Sequence, residues 1–271
     1  WTDSVEYGSV ITILHIDEEG DLLDHHRFID TNYWNYPGWA NSSDRMMNGG
    51  LVVGGNRVSA QEDSRTSIFV FDPLGTPLQQ FHFGELGQTW VGRQAKQTPD
   101  GGFVLTGSRS LNGNTDGFLI KTDANGAQEW VQTYGGASYD EFLAVDVAPG
   151  GGYYLGGYRY VPGSSSQHWT LRVDSFGEEA WSRTWGGQFT DPAAHLLATT
   201  DGHAVVASAN RYNSNNGPAL LYMAKLDSTD GSFVWEHFYG APTFNTTLFA
   251  VQEVEPFGDL IATGQAFLEQ G

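Results

Sequence analysis

Four of the ten arginines in this 271-residue chain share one recurring slot. Arg57, Arg109 and Arg159 each lie two residues after the glycine that closes a short apolar run, and Arg211 lies one position further along. Ala266 breaks the series. A ring of guanidinium groups would grip a carboxylate, a sulfate or an acidic glycan through paired, charge-assisted hydrogen bonds. The competing account has each arginine pair with a nearby loop carboxylate, such as Asp140 or Asp191, and tie one structural unit to the next. That account is preferred, because slots that repeat serve structure that repeats.

The carboxylates pose a second chemical question. Asp140, Glu141 and Asp191, near Trp90 in a related connection, could supply the acid and base of a glycosidase if their separation suited one of its two geometries. With 32 acidic residues such a coincidence carries little weight. The slot of Asp140 also holds Trp90 and Asp191 in the neighbouring units and Gly38 in an earlier one, so no ring of carboxylates recurs. His25 and His26, beside Asp24, suggest a metal only until one notes that adjacent strand residues point to opposite faces. The TDANG segment lacks the run of oxygen ligands that a calcium loop needs, and a hairpin turn explains it. Neither a metal nor a cofactor is expected. Tyr33, Trp34, Tyr36 and Trp39 could stack on sugar rings, although plugging a gap in the fold is the preferred account of such a cluster.

These side chains must be positioned by something, and a repeat supplies it. The segments GGLVVGG, GGFVLTG, GGYYLGG, GHAVVAS and GDLIATG begin at Gly49, Gly101, Gly151, Gly202 and Gly258. Their spacings are 52, 50, 51 and 56 residues. Between them runs an alternating apolar strand that ends in aspartate and a turn, as in IDEEG, FDPLG, TDANG and VDSFG, with LDSTDG one residue longer. Trp130, Trp181 and Trp235 follow four residues past the glycine, while Gln79 and Asp24 fill that place in the other two copies. Asp hydrogen-bonds the backbone that follows it and Gly accepts positive φ, so each copy predicts a hairpin. Each unit reads as four short strands, DEFLAVDVAP, GGYYLGGY, HWTLRVD and EEAWSRTW in the third, with Leu171 and Val173 on one face and Thr170 and Arg172 on the other. Four-stranded units repeated at this period predict the blades of a β-propeller, with the tryptophans wedged between them.

The first recognisable element, SVITILHID, is a third strand, and the last, GDLIATGQAF, is a second strand. Joined, they would make one composite blade beside four continuous ones. The sequence therefore predicts an all-β, five-bladed β-propeller of four-stranded antiparallel blades, one domain over residues 1–271, closed 2+2 by its terminal strands so that no sheet edge is left free.

Composition narrows the function. Glycine at 35 residues, 14% aromatic and only 17% charged residues fit short strands, tight turns and large packed rings. A net charge of -19 would repel a phosphate backbone, so nucleic acid is not an expected partner. No cysteine is present, which removes disulfides and thiolate chemistry together. No apolar run reaches membrane-span length, and no secretory signal follows Trp1.

The stretch DGFLIKTDANGAQEWVQTYGGASYDEFLAVDVAPGGGYYLGGY closely resembles the repeat of secreted and cell-surface bacterial propellers common in Bacteroidota, and weaker copies extend over nearly the whole chain. That resemblance implies an extracellular, non-enzymatic protein, with export by type IX secretion where a C-terminal sorting domain is present. The pattern of aspartate, glycine three residues on and tryptophan four further is also similar to the docking motif of quinoprotein propellers, which speaks to blade packing and not to chemistry. The expected function is a non-catalytic scaffold that presents its channel-face loops to a protein or glycan at a cell surface. The alternatives are a glycosidase-like enzyme and a purely architectural unit of a larger assembly. Arg57, Arg109, Arg159, Arg211, Trp90, Asp140 and Asp191 are the candidate binding residues.

Overall fold

One turn, built five times, organises the structure. In a computed structural model that describes residues 10–30, 32–38, 41–59, 64–85, 87–186, 195–211, 219–239, 245–254 and 258–267, every aspartate of the repeat caps its own hairpin. The Asp17, Asp72, Asp123 and Asp174 carboxylates each accept the amides two and four residues on, and the glycine amide three residues on returns to the aspartate carbonyl. Gly20, Gly75, Gly126 and Gly177 take φ of +91°, +87°, +79° and +83°, values that a side chain would resist. In the longer fifth copy Asp227 accepts the Thr229 amide, Asp230 accepts the Ser232 amide, and Gly231 closes the turn.

Among the described residues twenty-one strands lie between the turns, and no helix. The first pair is β1 (Ile11–Ile16) and β2 (Leu22–Phe28). Next comes a sheet of β3 (Tyr33–Pro37), β4 (Ser43–Arg45), β5 (Leu51–Ser59), β6 (Ser64–Phe71) and β7 (Pro77–Phe83), in which β3 and β4 both pair with β5. Three four-stranded antiparallel sheets follow, each in sequence order. They are β8 (Thr89–Gln97) to β11 (Gln128–Tyr134) with β9 (Phe103–Leu111) and β10 (Asn114–Thr122) between, then β12 (Asp140–Val147), β13 (Tyr153–Tyr160), β14 (Ser166–Val173) and β15 (Glu179–Trp185), then β16 (His195–Ala198), β17 (Ala204–Arg211), β18 (Ala219–Leu226) and β19 (Phe233–Tyr239). The last pair is β20 (Asn245–Val254) and β21 (Asp259–Phe267).

First strands carry a bulge after Gly92, Phe142 and Leu248, which leaves Arg93, Leu143 and Phe249 unpaired in the ladder. In the first full sheet the same place holds a longer insertion, so its first strand is split into β3 and β4.

Neighbouring sheets pack face to face through apolar clusters that each draw on adjacent units, such as Val52, Ile68 and Trp90 with Leu105 and Phe118, or Tyr154 and Trp181 with Leu196 and Val206. Leu171 and Val173 are buried, but so is Thr170 on the opposite face, because an inner sheet is covered on both sides. The tryptophans do wedge between units: a Cβ added at Gly177 would meet Trp130, and one at Gly231 would meet Trp181 at 2.7 Å. Phe81, two residues beyond the expected Gln79, takes the same part at Gly126.

The terminal strands differ from expectation. Among the described residues β1 pairs with β2 alone and β21 with β20 alone, so two two-stranded sheets stand where one composite sheet was expected. Each finds a complete neighbour for one of its faces, and that packing does not require the other half. Ile11 and Ile13 lie against Val53, Phe69 and Phe71, while Leu248 and Val251 lie against Val205, Ala207 and Met223.

Three histidines, His168 buried and His82 and His195 half-buried by this packing, make stability depend on pH. Burial pushes the fully enclosed His168 down to about 4. His195 falls to about 4 through burial and then the Lys96 charge, and His82 to about 4 through burial and then Arg57. An imidazole whose folded pKa lies below its unfolded value binds fewer protons when folded, so its stability is full above about pH 6.5 and declines as pH falls toward 4. For His168 the loss should be on the order of 3 kcal/mol. A melting temperature that does not fall between about pH 7 and pH 4.5 would contradict this, and His168→Asn should flatten the profile.

Candidate functional site

Antiparallel register decides which candidate residues meet. On β12 and β13 Asp140 stands directly opposite Arg159, whose neighbour on β14 is Gln167. The same ladder position pairs Trp90 with Arg109 and then Asp116, and pairs Asn35 with Arg57 and then Arg65. The residue matching Asp140 in the first full sheet is therefore Asn35, not Gly38. The insertion that splits the first strand shifts the count, and Gly38 instead lies so close to the Arg93 carbonyl that a Cβ would overlap it.

Three of the four arginines share one contact, each over an aromatic ring of its own sheet, and not the expected tie from one unit to the next. The guanidinium carbon is 3.3 Å from the ring centroid of Tyr33 for Arg57, 5.6 Å from Trp90 for Arg109 and 4.6 Å from Trp169 for Arg159. Arg211 falls out of phase. Ladder pairing matches Asn210, not Arg211, to Arg159. The side chains of Arg211 and Ala266, and Asp191 and Trp39 altogether, lie outside what the structure describes. Trp90 is taken up by packing, buried with its ring centroid 5.0 Å from that of Phe118.

Asp140 and Arg159 floor an open cleft of about 580 Å³. Its walls come from the β11–β12 connection, with Gly136 and Ser138, and from the β13–β14 connection, with Tyr160 and Pro162. Asp140 is 1% exposed. One of its oxygens accepts the Gly136 amide at 2.7 Å, and the other faces Arg159 Nε at 3.5 Å with no hydrogen bond among the described residues. Burial pushes the Asp140 carboxyl above its usual range and the Asp116 charge adds to that, against the Gly136 amide and Arg159. A Cβ at Gly135 would lie 2.3 Å from Asp116 Oδ1 and 2.8 Å from Asp140 Oδ2, so the two carboxylates flank one glycine. The arrangement can accept hydrogen bonds from hydroxyls or a cation through Asp140 and donate to an oxygen through Arg159.

Glu141, beside it in sequence, does something else. Its buried carboxylate accepts Arg93 Nε at 2.6 Å, Ser108 Oγ at 3.2 Å, Tyr139 OH at 2.9 Å and Tyr158 OH at 2.7 Å. Burial and this carboxylate together raise both phenols. Four donors leave no lone pair for a substrate, so Glu141 is a tie between sheets. Arg93 and Ser108 were invisible as its partners from sequence, the one faint signal being that Arg93 sits at the bulge.

First strands are linked around the inside by similar ties, each about one repeat apart. Lys96 Nζ reaches Asp146 at 2.9 Å and Asp44 at 3.7 Å. Burial alone would lower the Lys96 pKa, yet those two carboxylates raise it. Asp146 accepts the Ala198 amide, and Glu253 accepts the Thr200 amide, both at 2.8 Å. His26 lies 3.3 Å from Asp24, and among the described residues no three His, Asp or Glu side chains converge as a metal set. Nor is any helix among them long and apolar enough to cross a membrane.

Fold and site together define a propeller-like, all-β protein of repeated antiparallel blades, with a polar cleft where the connection between two blades meets the connection between the second and third strands of the latter. No family model matches the chain, and no curated protein matches it in sequence. Among solved structures it is similar to a protein of unknown function from Bacteroides caccae, at 11% identity and a TM-score of 0.51 over 90% of this chain and 76% of that one. It is also similar to a puromycin hydrolase, at 15% identity and a TM-score of 0.53 over 84% of this chain and 36% of that one. The chain spans about a third of the hydrolase's length. At these identities the likeness shows the fold alone.

Proposed function

We propose that the protein is a non-catalytic binding module of the cell surface or extracellular space, which presents a protein- or glycan-binding face on a single five-bladed propeller over residues 1–271. In this reading the two half-sheets share the fifth blade. The cleft above Asp140 and Arg159 carries the proposal. It is open to solvent, its volume of about 580 Å³ falls in the range of small-ligand sites, and it places one buried acid beside one half-buried guanidinium. That pair suits the vicinal hydroxyls of a sugar, or the charged side chains of a protein loop. The extracellular setting is supported by the repeat's resemblance to bacterial surface propellers.

A carbohydrate-active enzyme is the second reading, favoured by the closeness of Asp116 to Asp140 and by the raised Asp140 carboxyl, since glycoside cleavage uses two neighbouring carboxyl groups, one of them held protonated as the acid. A glycan array and a general glycosidase screen, run on the parent, Asp140→Asn and Arg159→Met, separate the readings. Binding without turnover, weakened by more than about tenfold in both variants, is the expected result. Turnover that disappears in Asp140→Asn would establish the enzyme instead. A lower melting temperature with unchanged binding would make the Asp140–Arg159 pair purely architectural.

A further inference from the structure

The two half-sheets carry complementary vacancies. Leu14 and Ile16 on β1 are 61% and 56% exposed, and Ile261 on β21 is 60% exposed. Counted from the repeat's aspartate, Leu14 matches Phe69, Ile120, Leu171 and Ala224, while Ile16 matches Phe71, Thr122, Val173 and Leu226. All eight are buried. Counted from the repeat's glycine, Ile261 matches Val52, Val104, Tyr154 and Val205, again all buried. Three apolar side chains thus stand in water at positions that every complete blade encloses.

A second vacancy is independent of the first. The hairpin glycines Gly75, Gly126, Gly177 and Gly231 each lie under an apolar side chain of the preceding unit, respectively Ile13, Phe81, Trp130 and Trp181. At Gly20, the fifth such glycine, no atom of the described residues comes within 4 Å of an added Cβ. Trp235 is the repeat's remaining strand-four tryptophan. It leans on His237 with ring centroids 5.6 Å apart, and no glycine seat holds it among the described residues.

We infer that β21 and β1 of one chain form an edge-to-edge interface in a single register, Leu260 opposite Ile16, with the Trp235 ring seated on Gly20. The register follows from the complete blades, where second and third strands pair Leu51 with Phe71, Phe103 with Thr122, Tyr153 with Val173 and Ala204 with Leu226. It places Ala262 opposite Leu14. Pairing would satisfy two open strand edges at once and withdraw Leu14, Ile16 and Ile261 from water. This inference rests on the five-bladed reading above and gives it a partner, a register and an anchor.

Because the chain has no cysteine, introduced thiols are the only ones present. The full chain carrying Leu14→Cys and Ala262→Cys should oxidise to a disulfide within the monomer. Ile16→Cys with Ala262→Cys, displaced by two residues along the strand, should not, since a disulfide tolerates Cα separations only up to about 7 Å. Preferential bridging of the displaced pair would overturn the register and leave five blades standing. Bridges found only in dimers, or in neither pair, would overturn closure within the chain and the five-bladed reading with it, without touching the test of the Asp140 cleft. The seat is tested by Gly20→Leu against Gly113→Leu, two turn glycines at φ +91° and +82° with nothing of the described residues near either. Backbone strain is common to both, so Gly20→Leu should melt lower than Gly113→Leu by at least about 4 °C. Equal losses would refute the Trp235 seat.

Discussion

Glu141→Ala is expected to destabilise the protein by about 3–5 kcal/mol and to lower its melting temperature by roughly 10 °C. The carboxylate is 1% exposed and receives four donors, from Arg93 on β8, Ser108 on β9, Tyr158 on β13 and Tyr139 just ahead of β12, so its removal takes a charged acceptor from all four at once and leaves a void between two sheets. Glu141→Gln keeps the shape but turns an amide N–H2 toward donors, and it should recover only part of the loss. Arg93→Met combined with Glu141→Met should be milder than Glu141→Ala, because an apolar replacement of both partners leaves no buried charge unpaired. Phenol titration offers a second readout. Burial is the first cause of the raised Tyr158 pKa and Glu141 the second, so the variant should bring that titration down without restoring it fully. A melting temperature unchanged by Glu141→Ala would show that the carboxylate does not tie the second and third blades.

Trp181→Ala should cost a similar amount, about 3–5 kcal/mol. Its ring is buried beside Tyr154 at a centroid distance of 6.0 Å, and its Nε1 donates to the Ser228 carbonyl at 3.0 Å in the next blade's hairpin. The loss would fall on the joint between third and fourth blades, so amide exchange should quicken across β16 to β19 more than across β8 to β11. Gly231→Val attacks the same joint from the other side, since a Cβ there would come within 2.7 Å of the ring and the residue holds φ +70°. Uniform acceleration of exchange in all blades would mean that the fold opens as one unit and that this joint has no local role.

How much of this was legible differs from residue to residue. The five aspartate turns could be read directly, and so could the strands they join, because the hydrogen bonds that make them span only two to four residues. The bulk of Trp130 and Trp181 at one repeat position announced packing between units. Asp140 and Arg159 could be nominated separately, whereas the ladder alone made them opposite neighbours. Chain counting misled at Gly38, where an insertion moved the match to Asn35, and at Arg211, where the ladder matches Asn210 to the slot instead. Glu141 drew notice as a possible catalytic carboxylate and proved saturated, because two of its donors, Arg93 and Ser108, come from the preceding blade.

By itself, then, the sequence determined the unit: a four-stranded antiparallel blade, its turn chemistry, its repeat of about fifty residues and the arginine slot at Arg57, Arg109 and Arg159. Those follow from contacts between residues close in the chain, or from a period that any copy reveals. Tertiary structure alone decided the partners across blades, the cleft at Asp140 and the open edges of β1 and β21. Such contacts depend on register and on which faces are covered, and one residue of slip in a strand is enough to reassign them all.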